Sequence, residues 1–233
     1  MEHLISTFRI AGDEPRRGRS KGRIVPCEAI SESGFPGRIT QYKNYRGFSY
    51  EENHLEEWIA RQPSALFGPE PVLLLASQNY VHLRVKIDLL FVDSSSNLYP
   101  VEIKVVRVAK NGGVVPYDLY ERQMKPYVEF LKGVRHLRDL DPQYARFAAA
   151  FGGAAVQLDE RFRTAFGHSP TEKLDSPVRE VYVAERFDTY AIDYFEHKSK
   201  EDRRSVRLVA YKFFPKDDYL EFWDVFQSAE EPK

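Results

Sequence analysis

The chain has 233 residues, 42% of them hydrophobic and 30% charged, which suits one globular domain, alone or with an appendage. A net charge of −1 gives no sign of a nucleic-acid binder from bulk charge. The single cysteine, Cys27, excludes an internal disulfide framework and fits a reducing compartment.

The N-terminus, MEHLISTFRIAGDEPRRGR, lacks the apolar core of a signal peptide. The most apolar stretches, PVLLLA and FAAAFGGAAV, fall far short of the ~20 residues a membrane span needs. The expectation is a soluble cytoplasmic, nucleoid-associated protein with no membrane partner. Residues 1–48 read as a basic, Gly/Pro-rich extension or small subdomain, and 49–233 as the main domain. Over residues 1–50, nine Lys/Arg stand against five Asp/Glu, a local charge of +4. Within it, GRIVPCEAI and GRITQYKNY read as short strands.

From Ser49 the pattern changes. SYEENHLEEWIARQPSALF places Leu55, Trp58, Ile59 and Leu66 at helical spacing, with Ser49 as a cap and Pro63 as the stop. PVLLLASQ and HLRVKIDLLFVD follow as strands, SSSN as a turn and LYPVEIKVVRV as a further strand. KNGGVVP is a glycine-containing loop, and YDLYERQMKPYVEFLKGVRHL a helical stretch interrupted by Pro126. DPQYARFAAAFGGAAVQL reads ambiguously as helix then strand. VREVYVAE is a strand, FDTYAIDYFEHKSK a helix, SVRLVAYKFF a strand and DDYLEFWDVFQSAEE a C-terminal helix. The order predicts an α/β (α+β) domain with a mixed central β-sheet flanked by helices.

Three charges stand out in these apolar strands: Asp88 in KIDLLFVD, and Glu102 and Lys104 in PVEIKVV. Burying a bare carboxylate costs several kcal/mol or shifts its pKa until it neutralises. Residues two apart share a strand face, so Asp88 lies with Leu90 and Val92, and Glu102 with Lys104. If the strands pair as a hairpin, Asp88 and Glu102 converge near one end of the sheet. A divalent cation would neutralise the pair, and hard cations such as Mg²⁺ prefer oxygen ligands. The Ile103 carbonyl is a further oxygen ligand within reach. Lys104 is then placed to hold an attacking water or to stabilise charge developing on a phosphate.

Asp88, thirteen residues and then Glu102-Ile-Lys104 resembles the Asp…Glu-x-Lys signature of the PD-(D/E)XK nuclease superfamily. The chain is most similar to the nuclease domain of the NucS-like (EndoMS) endonucleases. IDLLFVD…NLYPVEIK resembles that family's paired strands. ENHLEEWIARQP resembles its upstream helix, with Glu52 three residues before Leu55 and eleven before Pro63. RQMKPYVEFL resembles its following helix, with a Gln-x-x-x-Tyr pair at Gln123 and Tyr127. VREVYVAERFDTYAIDYF…SVRLVAYKFF resembles the strand–helix–strand that completes the sheet. The likeness covers roughly residues 49–214. Residues 105–122 are longer than that pattern, and residues 1–48 do not resemble the family's N-terminal dimerisation domain.

The resemblance implies a restriction-endonuclease-like core and a divalent-metal-dependent DNA endonuclease that hydrolyses phosphodiester bonds. Asp88, Glu102 and the carbonyl of Ile103 would hold Mg²⁺ or Mn²⁺. Lys104 would orient water, Glu52 would complete or support the site, and Gln123 and Tyr127 would steady Lys104 or contact the phosphate. Glu56, one turn after Glu52 on the same face, competes for the helix position. DNA is the implied partner, and the sequence leaves a homodimer open.

Bland readings accompany these. The strand charges make a structural Glu–Lys pair beside an edge Asp, and Gln123 and Tyr127 are ordinary helix surface and core. The six histidines show no ligand spacing. EHKSKEDRRS reads as a solvated loop. Residues 99–138 hold eight Lys/Arg against four Asp/Glu, again +4, and such segments beside the site suit a polyanion. Tyr42, Tyr45, Tyr117 and Tyr120 lie in or beside the basic stretches, where tyrosines stack on exposed bases or pack half-buried. The rival from another class is a non-catalytic nucleic-acid-binding or assembly module on a nuclease-derived fold. A third reading, an enzyme acting on small nucleotides, predicts a closed pocket instead of a basic groove.

Overall fold

The structure is a computed structural model. It describes residues 3–11, 23–26, 52–82, 85–104, 117–150, 156–174, 178–187, 189–201, 205–214 and 219–227. The strands are β1 (His3–Ala11), β2 (Arg23–Pro26), β3 (Val72–His82), β4 (Val85–Asp93), β5 (Leu98–Lys104), β6 (Arg179–Ala184), β7 (Ser205–Phe214) and β8 (Tyr219–Gln227). The helices are α1 (Glu52–Arg61), α2 (Ser64–Phe67), α3 (Tyr117–Lys132), α4 (Asp141–Ala150), α5 (Leu158–Phe166) and α6 (Thr189–Glu201), with a 3₁₀ turn at Leu137–Leu140.

All eight described strands join one mixed sheet in the order β2-β1-β8-β7-β6-β5-β4-β3. β5–β6 and β6–β7 are parallel and the other neighbours antiparallel. Parallel neighbours need a crossover. The chain from β5 to β6 runs through α3, the 3₁₀ turn, α4 and α5, and from β6 to β7 through α6. The mixed α/β sheet with helices is therefore as expected from the pattern.

Both faces of the central strands are buried, so β4 reads as a continuous apolar run instead of an alternating one. Leu89 and Phe91 face a core completed by Leu55, Trp58 and Ile59 of α1 and Leu66 of α2. Leu90 and Val92 face a second core with Met124, Tyr127, Val128 and Leu131 of α3, Phe162 of α5 and Phe195 of α6. Each fully buried aliphatic or aromatic side chain contributes roughly 1.5–3 kcal/mol. The β4–β5 hairpin closes through Asp93. Its Oδ1 accepts the Ser95 and Asn97 amides at 2.9 Å each, and its Oδ2 accepts the Tyr99 hydroxyl at 2.8 Å.

Several expectations need correction. Residues 219–227 form strand β8, not a C-terminal helix, and pair with both β7 and β1. The segment's apolar residues recur at three-residue spacing (Leu220, Trp223, Phe226), which imitates a helix. Its aromatic content favours a strand, and pairing on both sides decides the outcome. β1 was not anticipated: it continues the sheet beyond β8, and Phe8 is buried. The run HLRVKIDLLFVD is divided, because His82 ends β3 and β4 begins at Val85. α3 continues through Pro126 without interruption. Proline removes one backbone donor there. The Glu196–Glu201 part of EHKSKEDRRS belongs to α6, where Lys200–Glu196 and Lys198–Glu201 form exposed pairs at 2.7 Å. α5 was not anticipated, although Leu158, Phe162 and Phe166 recur at four-residue spacing.

Candidate functional site

β4 and β5 pair from Val92–Leu98 to Leu89–Val101. Continued regularly, that register would set Ile87 opposite Ile103. Instead the Ile103 amide donates to Asp88 Oδ2 at 2.9 Å, so a side-chain carboxylate takes the place of a ladder carbonyl. In an extended strand the N–H and C=O of one residue point the same way, so the Ile103 carbonyl also faces this opening. Lys104 Nζ donates to it at 3.0 Å and lies 2.5 Å from Glu102 Oε1. Asp88, Glu102, Lys104 and the Ile103 backbone are thus brought together where β4 and β5 part.

This neighbourhood is buried: Glu102 is 0% exposed, Glu56 4% and Asp88 8%. α3 packs over β5 and supplies Tyr127. The Tyr127 phenol is pushed well above its ordinary value of 10.0, first by burial, then by the nearby charges of Glu102, Asp88 and Glu56. It therefore stays protonated beside the carboxylates. Gln123 lies one helical turn before Tyr127. Its Oε1 is buried and accepts no hydrogen bond from a described residue.

Glu52 opens α1, but its side chain lies outside the described residues. Glu56, the competing acid, is the α1 carboxylate whose charge reaches Tyr127. Sequence reasoning passed over Glu180 and Tyr182 of β6. Tyr182 stands opposite Glu102 across the β5–β6 ladder and donates to Glu180 Oε2 at 2.8 Å. The signal was a Glu two residues before a Tyr in the strand REVYVA, where only Arg179 is otherwise polar. Tyr42, Tyr45 and residues 105–116, which include the expected KNGGVVP loop, lie outside the described residues, as do the side chains of Tyr117 and Tyr120.

The donor set is all oxygen: the buried carboxylates of Asp88 and Glu102 and the Ile103 carbonyl, with the Lys104 ammonium on Glu102 and that carbonyl. This chemistry fits a hard divalent cation. Among the described residues no group of three or more His, Cys, Asp or Glu side chains is arranged to hold a metal. A protein metal site here would therefore rest on Asp88, Glu102 and the Ile103 carbonyl. No helix among the described residues is long and apolar enough to cross a membrane. Compared with protein-family models, with curated proteins and with solved structures, the chain gives no match.

Proposed function

We propose that the chain is a divalent-metal-dependent DNA endonuclease of the PD-(D/E)XK type, with a restriction-endonuclease-like core. The observation that carries this reading is the meeting of Asp88, Glu102, Lys104 and the Ile103 carbonyl at the parting of two central strands. The mixed sheet with helices on both faces supports it.

Asp88, Glu102 and the Ile103 carbonyl would hold Mg²⁺ or Mn²⁺. When bound, such an ion supplies a more acidic water and a Lewis acid for the phosphate oxygens. Lys104 orients the attacking water and stabilises the charge that grows on the phosphate. Tyr127 keeps its proton and stays a neutral group beside Glu102 and Asp88, so it adds no further negative charge to the site. The buried carboxylate of Glu56, whose charge also acts on Tyr127, adds to the negative potential that favours a cation.

The test is cleavage of single-stranded, duplex, flapped and mismatched DNA with Mg²⁺ and with Mn²⁺, for the parent and Glu102→Gln. Metal-dependent cutting by the parent, abolished by chelator and by the substitution, is the expected result. A second reading, a non-catalytic nucleic-acid-binding or assembly module, draws on the two-carboxylate donor set with Lys104 already paired to it. It predicts DNA binding by folded protein with neither cleavage nor Mn²⁺ binding.

A further inference from the structure

We propose that Lys104 is a displaceable internal cation: its ammonium holds the metal position in the metal-free protein, and metal entry releases it toward the substrate phosphate. The inference rests on the metal-dependent reading above and concerns how the site is armed.

The geometry carries it. Nζ lies 2.5 Å from Glu102 Oε1 and 3.0 Å from the Ile103 carbonyl oxygen. One anionic and one neutral oxygen are the donor types that a hard cation takes. Glu102 is fully buried, with Asp88 and Glu56 also buried nearby. A carboxylate so placed requires a compensating charge, and the ammonium supplies it. Two cations sharing the same oxygen at contact distance repel strongly in a partly desolvated site. Metal and ammonium therefore exclude each other at this point. A four-carbon stem with rotatable bonds lets the ammonium move without moving the strand. Lys104 is also less buried than Glu102, its side chain 12% exposed against 1%, so solvent reaches the pair from the Lys104 side. The consequence is order: the residue that stabilises the reacting phosphate is freed only when the metal is in place.

Two measurements test this without reading activity. In the parent without DNA, acylation of Lys104 by an amine-reactive ester is quantified by peptide mass spectrometry, with and without Mn²⁺. Labelling should rise several-fold with the metal, and unchanged labelling overturns the proposal. In parallel, Mn²⁺ is titrated calorimetrically into the parent, Lys104→Met and Lys104→Gln. Methionine keeps the length without charge, and glutamine keeps a donor should the methionine variant fail to fold. Loss of the competing ammonium should tighten Mn²⁺ binding by about tenfold or more. The metal-induced rise in Tm should exceed the parent's. Affinity equal to or weaker than the parent's overturns the proposal. If the parent binds Mn²⁺ and cuts DNA while labelling and affinity stay flat, only this inference falls. If neither the parent nor the variants bind Mn²⁺, the metal reading falls and takes this inference with it.

Discussion

Asp88 Oδ2 accepts the Ile103 amide at 2.9 Å, one residue beyond Leu89 and two beyond Val101, the last regular β4–β5 pair. The carboxylate thereby ends the ladder and satisfies a buried donor that the parting strands would orphan. Asp88→Ala should destabilise the metal-free protein by about 1–3 kcal/mol, the cost of an unsatisfied buried amide. Asp88→Asn keeps an acceptor oxygen and relieves repulsion with Glu102, so it should cost less or stabilise. Urea unfolding of both variants in chelator checks the ranking, and equal losses would remove the structural role assigned here.

Tyr127 is the phenol that serves the buried carboxylates. Tyr127→Phe removes a buried polar hydroxyl close to Glu102 and Asp88 and should change stability by about 0.5–1.5 kcal/mol below pH 10.0. The sign with pH follows from the raised pKa, caused first by burial and then by Glu102 and Asp88. Below the ordinary value of 10.0 the native phenol's advantage is complete. Above it the unfolded chain ionises first and stability falls. Parent stability should therefore drop more steeply than that of Tyr127→Phe above that pH. Parallel curves would remove the phenol from the carboxylate cluster.

The constellation was legible because its charges break an apolar pattern. Asp88, Glu102 and Lys104 stand in strands whose neighbours are buried, and a period of two assigns their common face. The same rule predicted that Asp88 and Glu102 would meet across a hairpin. What it did not contain was the role of the Ile103 amide, because a ladder defect depends on where two strands part. The choice between Glu52 and Glu56 was not legible in the sequence, since helical spacing puts both on one face, and the Glu52 side chain lies outside the described residues. β8 was misread because its apolar residues fit two periods at once, and partners on both sides decide between them. β1 was missed because Phe8, its deeply buried residue, is packed by residues more than two hundred positions away in β8.

That distant pairing makes the N-terminal strand part of the fold. Phe8 is 2% exposed and meets the Phe222 ring edge-on at 6.1 Å. Ser6 Oγ donates to the Ala65 carbonyl at 2.9 Å, tying the strand to α2. Phe8→Ala should destabilise by about 3–5 kcal/mol, the usual range for an aromatic removed from a core. Deleting residues 1–20 should lower Tm sharply as well. A truncated protein with parental Tm would show that β1 adds nothing to the sheet.

Glu221 on β8 is a buried carboxylate outside the site. Burial raises its pKa above the ordinary 4.5, against the opposing effects of the Trp223 indole N–H at 2.9 Å and Lys212. A raised carboxylate favours the native state while protonated. Stability is full below 4.5 and is lost as pH rises through the native value. Glu221→Gln removes that loss and keeps an acceptor for Trp223. Its Tm relative to the parent should be higher at about pH 7 than at about pH 4. An identical difference at both pH values would refute the assignment.

The last prediction separates roles within the proposed metal site. Asp88 and Glu102 are assigned as oxygen ligands and Lys104 as a non-ligand. Glu102→Gln and Asp88→Asn should therefore lose both tight Mn²⁺ binding and DNA cleavage. Lys104→Ala should lose cleavage by on the order of 10²-fold or more, the scale for removing a preorganised charge at the transition state. It should still bind Mn²⁺, because its oxygen donors remain. Circular dichroism establishes that each variant is folded, calorimetry reads the metal and gel assays read the cut. If Lys104→Ala cleaves DNA at the parental rate, β5 is not a catalytic strand. The pair at 2.5 Å between Lys104 and Glu102 is then a buried structural ion pair, and the nuclease reading falls with it.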